Sequence, residues 1–215
     1  MAKRRKSGST RPAEKTAPTS LRIIGGKYRG RLLQYHGDRR TRPMKDRVRE
    51  AVFNLLGPAI KKKYVLDLFA GTGAIGFEAL SRGADSATFI ERHFPSVKII
   101  DQNAHTIGVD HQVQTFGSDS FLWLKQNLAQ FQNRPLAVFI SPPYSLFLER
   151  PTDILQAISK LWDVAAPDSL FIVESDNRFD KSLFPHPDLW DHREYAPAVV
   201  SIAQRNETPM ETFND

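Results

Sequence analysis

Apolar residues along this 215-residue chain recur in two patterns that alternate. Short segments at 64–69, 86–91, 112–117, 136–140 and 169–174 read as strands, the first and fourth as apolar runs of buried-strand type. The stretches between them, 74–82, 94–107, 119–130 and 151–163, read as helices. In the first, Ile75, Ala79 and Leu80 recur at helical spacing before Gly83 ends it; in the second, Pro95 sits in the first turn. Strands separated by connections of helix length predict an α/β fold with parallel strands and helices on both faces. A last segment, YAPAVVSIAQR, predicts one more strand, an antiparallel edge or a hairpin partner. No internal repeat is visible.

Ahead of the first main strand the pattern is shorter. LRIIGG and RGRLLQY predict two small strands of a hairpin, with Gly25-Gly26 and Gly30 in the turns. A helix is expected over Asp46–Leu56, where Val48, Ala51, Val52, Leu55 and Leu56 form one apolar face and Arg47 and Arg49 lie off it. Gly57-Pro58 stops that helix. Residues 1–20 are Lys/Arg, Ser/Thr and Pro with little to bury, and read as a disordered basic arm. Residues 21–215 then form one domain, of which 21–45 are the basic hairpin and loop.

Charge sharpens this division. Residues 1–63 hold 19 Lys and Arg against 4 Asp and Glu, whereas 64–215 hold 11 against 20. A basic front on an acidic body is built for a polyanion, and nucleic acid is the natural candidate, because cationic side chains release its condensed counterions. A solubilising tail is the plainer account of residues 1–20 alone. Cysteine is absent and the six histidines show no ligand spacing, so neither a disulfide framework nor a metal site is expected. No apolar run reaches the ~18 residues of a membrane span. The expectation is a soluble, cytoplasmic protein, monomeric, with no membrane partner.

The chemistry concentrates at strand ends, where open α/β sheets bind ligands. The strand at 64–69 carries Asp67 and Phe69 and runs into Ala70, Gly71, Thr72 and Gly73, a turn read as DxFxGxG, shorter than the GxGxxG dinucleotide fingerprint and expected to lack a third glycine at the helix-packing position. The next strand ends in Glu91, about twenty residues on, where a carboxylate accepts ribose hydroxyls. The third is followed by Asp119, which meets an adenine amino group, caps the next helix, or does both. The fourth ends in Ser141-Pro142-Pro143-Tyr144. Consecutive prolines fix the backbone and donate no N–H, leaving carbonyls to face the space above the sheet, and Tyr144 offers a stacking surface for a planar base. Ser141 Oγ and the Pro142 carbonyl are candidate acceptors for an exocyclic amine, orienting its lone pair toward a methyl donor. Taken singly each motif has a bland structural account; together, on successive strands, they outweigh it.

These residues resemble class I S-adenosylmethionine-dependent methyltransferases. RIIGGKYRGRLL, RPMKDRVREAVFNLL, VLDLFAGTGAIGFEALSRGA and FIERH further resemble the bacterial 16S ribosomal RNA guanine-N2 methyltransferase family, from Leu21 to about Glu174. The resemblance implies a Rossmann-like, mostly parallel seven-stranded sheet and S-adenosyl-L-methionine as cofactor. It implies 16S ribosomal RNA, or the assembling small subunit, as partner. Asp67, Phe69, Ala70, Gly71, Thr72 and Gly73 would surround the cofactor, Glu91 its ribose and Asp119 its adenine, while Ser141, Pro142 and Tyr144 would hold the base. Arg22, Lys27, Arg29, Arg31, Arg42, Arg47 and Arg49 would meet RNA phosphates. Two positions depart from the family pattern: Ser141 stands where Asp or Asn is usual, and Met44-Lys45 where small hydroxylic residues are usual, a change expected either to cost a helix cap or to alter an RNA contact. A weakened binder of cofactor and RNA, and an amine methyltransferase acting on cytosine N4 or adenine N6, are the alternatives that Ser141 leaves open.

Overall fold

The computed structural model describes residues 21–35 and 43–206; the expected basic arm and Arg42 lie outside them. The elements, in order, are β1 (Leu21–Arg22), β2 (Leu32–Leu33), α1 (Asp46–Leu56), β3 (Tyr64–Asp67), α2 (Ala74–Ser81), β4 (Ser86–Ile90), α3 (Phe94–Ile107) and β5 (Val113–Phe116). They continue with α4 (Ser120–Asn127), β6 (Leu136–Ile140), α5 (Leu146–Glu149), α6 (Pro151–Val164), β7 (Leu170–Asp176), β8 (Trp190–Tyr195) and β9 (Ala198–Gln204). β1 and β2 make a small antiparallel ribbon, and the other strands one seven-stranded sheet in the order β5-β4-β3-β6-β7-β9-β8. β3 to β7 are parallel; β9 runs antiparallel between β7 and β8. No helix among the described residues is long and apolar enough to cross a membrane.

Period-two alternation decides which side of the sheet each residue faces. Val65 of β3, Ala137 and Phe139 of β6, and Leu170 and Ile172 of β7 pack with α1, α2 and α3. Their neighbours Leu66, Leu136, Val138, Ile140, Phe171 and Val173 pack with α4 and α6 on the other face. The central strands are buried on both sides, which is why they read as unbroken apolar runs rather than alternating ones.

β8 is the strand that the sequence pattern missed. In WDHREY only Trp190 is buried, since the strand lies at the sheet edge and takes its place through backbone bonding to β9. The connection before it extends the second core. Phe179, Phe184 and Trp190 are all buried and their rings meet in series, Phe184 lying 4.6 Å from Trp190, while Phe179 reaches back to Phe147 at 4.8 Å.

Arg49 requires a correction. It does not lie off the buried face of α1 but is fully buried, and its guanidinium donates to the carbonyls of Met44 (3.1 Å) and Arg22 (2.7 Å) and to Asp46 (3.0 Å). It also lies 3.9 Å from the buried carboxylate of Glu78 on α2. Arg49 is therefore spent holding the hairpin to the helices and is not available to RNA phosphates. Glu78 is the centre of this joint: it accepts from the backbone N–H groups of Ile24 (2.7 Å) and Gly25 (2.9 Å) and pairs with Arg82 at 2.7 Å. Ser81 adds a hydroxyl that accepts from Tyr28 N–H and donates to the Gly25 carbonyl.

At the start of α1, Lys45 occupies the cap position and its side chain makes no capping bond, as the departure at Met44-Lys45 predicts. Lys45→Asp should therefore raise stability by about 1 kcal/mol, read by urea unfolding. In the opposite direction, Glu78→Gln leaves the partly covered Arg82 without its countercharge and the buried Arg49 with Asp46 alone. It should cost about 3 kcal/mol or more, enough to lower the melting temperature by about 6–12 °C; a shift under 2 °C would remove the joint from the stability account.

Candidate active site

The carboxyl ends of β3, β4, β6 and β7 meet at one edge, because the register pairs Asp67 with Phe89 and with Phe139, and Ile140 with Val173. The residues that follow each strand are thereby gathered above the same crevice. This is where the candidate site residues of the sequence lie, apart from the basic ones.

The glycine turn after β3 is tightly made. Gly71 and Gly73 have φ of +55° and +75°, and Gly73 N–H bonds the Ala70 carbonyl at 2.7 Å before α2 begins. Gly76 does the work for which no third glycine had been assigned: a Cβ there would lie 2.2 Å from the Phe89 ring, so its hydrogen lets α2 sit on β4. Gly71, Gly73 and Gly76 thus complete a GxGxxG spacing that the shorter DxFxGxG reading overlooked. Ala70 N–H bonds the Ile90 carbonyl at 3.0 Å, and Ser120 Oγ donates to the Leu68 carbonyl, so neighbouring elements hold the loop from both sides. Thr72 is buried, and Phe69 is half-buried with its ring edge-on to Phe121 at 5.7 Å.

Asp67 is wholly buried under this loop, and neither of its oxygens completes a hydrogen bond among the described residues. Burial first, and the nearby charge of Glu91 second, push its carboxyl up to about 7, against a partial lowering by the nearby backbone N–H groups of Phe69 and Gly76, which approach without completing a bond. Glu91 is itself nearly buried and holds the loop to the tip of β4: Oε2 accepts from Gly71 N–H at 2.8 Å and Oε1 from His93 N–H at 2.7 Å. A carboxylate fixed by two backbone donors is preorganised, and each oxygen keeps a lone pair for a further donor.

Asp119 is the cap of α4, its Oδ1 accepting from Phe121 and Leu122 N–H at 3.0 Å. Its other oxygen faces Arg150, 3.5 Å away, whose guanidinium stands over the Phe121 ring.

Ser141-Pro142-Pro143-Tyr144 leaves β6 beside the end of β7. Pro142 is buried and its carbonyl takes no hydrogen bond among the described residues, whereas the Pro143 carbonyl accepts from Leu146 N–H at 2.9 Å to start the short helix α5. Ser141 Oγ donates to Glu174 Oε2, and Tyr144 OH donates to Glu174 Oε1 at 2.8 Å. Glu174 was assigned no role from sequence, though an acid closing the apolar run LFIVE carries the same signal as Glu91 closing ATFIE.

The basic residues lie elsewhere. Arg22, Lys27, Arg29, Arg31 and Arg47 are exposed on the hairpin and α1, and a cleft of about 380 Å³ there is lined in part by Arg22, Arg29 and Arg82. Two of the side chains already have local work: Arg22 pairs with Asp46 at 3.4 Å, and Arg31 donates to the Thr106 carbonyl.

Comparison with known proteins agrees with this layout. A family model described as Conserved hypothetical protein 95 matches residues 21–203. Ribosomal RNA small subunit methyltransferase D of Haemophilus influenzae is 37% identical over 179 residues, covering 81% of this chain and 86% of that one. The Escherichia coli K12 protein of the same name is 37% identical over 184 residues, 84% and 87% of the two chains. Among solved structures, yhhF of Escherichia coli aligns with a TM-score of 0.71 at 32% identity, over 88% of this chain and all of that one. A 16S rRNA N2 G1207 methyltransferase of Thermus thermophilus, solved with AdoMet and guanosine, shares the fold at 19% identity, with a TM-score of 0.65 over 88% of this chain and 50% of that one. With the described domain spanned by one family model and by relatives of this similarity, the chain belongs to the Conserved hypothetical protein 95 family, which includes the small-subunit ribosomal RNA methyltransferases D.

Proposed function

We propose that this protein transfers a methyl group from S-adenosylmethionine to the exocyclic N2 amine of a guanine in small-subunit ribosomal RNA. The observation that carries this reading is the pair of acceptors at the end of β6. Ser141 Oγ and the Pro142 carbonyl, which takes no hydrogen bond among the described residues, stand one strand from the glycine turn and two from Glu91. An exocyclic amine is a weak nucleophile, because its lone pair is delocalised into the ring. Acceptors on both N–H bonds localise that pair and orient it, a gain in positioning and electrostatics. Tyr144 offers the base a flat neighbour.

The residues fit the cofactor. When bound, S-adenosylmethionine supplies a methyl group activated by a sulfonium. Asp67 is a buried carboxyl that completes no hydrogen bond among the described residues, and a ligand that brings positive charge to the loop offsets the cost of ionising it. Glu91, already held by two N–H groups, is aimed to accept ribose hydroxyls. Asp119 keeps an oxygen beyond its capping bonds for an adenine amine. Phe69, Ala70, Gly71, Thr72 and Gly73 would line the approach. Arg22, Lys27, Arg29, Arg31 and Arg47, with Arg42, would meet RNA phosphates; Arg49 is withdrawn from that role by its burial. The names of the curated relatives support ribosomal RNA as substrate class.

Incubating the protein with S-adenosylmethionine and unmodified small subunits, then digesting the RNA to nucleosides for mass spectrometry, should give new N2-methylguanosine. Methylated cytosine or adenine, or cofactor binding without transfer, would overturn the assignment. Glu91→Ala should weaken cofactor binding about tenfold by calorimetry, the loss of a charged hydrogen-bonding partner; unchanged affinity would remove Glu91 from the ribose.

Asp67 yields a pH prediction. Its folded pKa of about 7 lies above the ordinary 3.8, so its favourable contribution is complete below pH 3.8 and is lost as pH rises through 7. Relative to wild type, Asp67→Asn should therefore gain about 2 kcal/mol or more in ligand-free stability between pH 5 and pH 8. A pH-independent difference in urea unfolding would show that Asp67 is ionised throughout.

A further inference from the structure

Glu174 follows Val173, the last residue of β7 paired with β6, at the same edge of the sheet as the glycine turn and directly beside Ser141. It is 8% exposed, and its oxygens take the hydroxyls of Ser141 and Tyr144. Among the described residues no Lys, Arg or His stands within ion-pair distance of it, unlike Asp46, Glu78, Asp119 and Asp176. A carboxylate largely withdrawn from water and held by neutral donors alone is costly. If these contacts served only to tie strand to loop, a neutral amide would do so without that cost.

The direction of the Ser141 bond gives the charge a use. A serine hydroxyl has one proton and two acceptor lone pairs, and free to rotate it offers a base either one. Ser141 has committed its proton to Glu174, so toward the crevice it can only accept, and donation to an ionised partner makes its oxygen a stronger acceptor. An obligate acceptor suits an exocyclic amine and rejects a keto oxygen. The short, uncharged serine thereby works with a carboxylate one strand away.

We infer that Glu174 is the positioning residue that makes Ser141 an obligate acceptor for the exocyclic amine and that receives the amine proton through it. The inference rests on the methyl-transfer reading above. The nitrogen lone pair forms the new N–C bond, and the electrons of the broken S–C bond remain on sulfur. The nitrogen is left with one proton too many. That proton passes to Ser141 Oγ as the serine proton passes to Glu174, whose neutral acid then exchanges with solvent at the sheet edge.

The test uses the guanine identified by the nucleoside assay, in reconstituted small subunits carrying guanine or inosine at that nucleotide. Inosine lacks only the 2-amino group. Binding is measured with S-adenosylhomocysteine present, so no turnover is needed, and single-turnover rates are measured separately with S-adenosylmethionine. Wild type should bind the guanine form about tenfold more tightly, the value of one well-made hydrogen bond. Glu174→Gln, which keeps size and shape, should reduce that preference to within twofold and slow transfer about 100-fold. Ser141→Ala should do the same, and the double variant should be no worse than either single one, since the two act as a unit.

A Glu174→Gln protein that keeps the tenfold preference would overturn the inference, as would a wild type that methylates guanine without preferring it over inosine. If Glu174→Gln does not fold, a retained preference in Ser141→Ala overturns it equally, and a lost one supports it. If no guanine is methylated at all, the methyl-transfer reading fails first, and is recognisable by that result.

Discussion

A single buried carboxylate, Glu78, fastens three separate pieces of this chain. The backbone of the N-terminal hairpin donates to it at Ile24 and Gly25, Arg82 pairs with it from one turn further along α2, and the buried Arg49 of α1 approaches it from across the core. Such a charge is tolerable only because each neighbour supplies N–H groups or positive charge to it. The consequence is mechanical. α2 begins at Ala74, directly after Gly73 of the glycine turn, so the helix that follows this loop also carries the basic hairpin. The surface proposed to meet a polyanion and the loop proposed to meet a small ligand are joined through one helix.

The crevice follows a second electrostatic logic. Asp67, Glu91 and Glu174 bring three carboxylates to the edge where the parallel strands end, and each is managed differently. Glu91 is stabilised by two backbone donors and Glu174 by two hydroxyls, whereas Asp67 completes no hydrogen bond among the described residues, and burial with the charge of Glu91 leaves its carboxyl raised. A negatively charged crevice suits a cationic small ligand, while the excess of basic residues lies on the separate hairpin and α1 surface. Segregating the two signs matches the proposed division of labour, in which one surface would approach RNA and the other a sulfonium, without either field cancelling the other.

The C-terminal segment shows how an edge is finished. β8 carries almost no apolar signal, yet it is held by backbone pairing to β9 and by Trp190, which closes an aromatic series running through Phe184 and Phe179 to Phe147. Phe147 lies just after SPPY, so this packing also steadies the loop that bears the candidate acceptors.

Local periodicity was enough to read the alternation of strands and helices, because a strand buried on both faces and a helix buried on one leave different apolar rhythms in the chain. The strand-end motifs, with Glu91 and SPPY at their tips, were legible for the same reason, since a parallel sheet places every strand's end at one edge. Tertiary structure decided what depends on partners distant in sequence. Arg49 and Arg47 are equivalent in the helical pattern, and only the arrival of Glu78 and the Arg22 carbonyl separates the buried one from the exposed one. Gly76 looked like any helical glycine until the Phe89 ring took the place of its missing Cβ. Ser141 looked like a lost carboxylate until the parallel register of β6 and β7 set Glu174, thirty-three residues away, against its hydroxyl. Periodicity records the environment of a single side chain; the pairing of charges and hydroxyls belongs to the register between strands, which no local window contains.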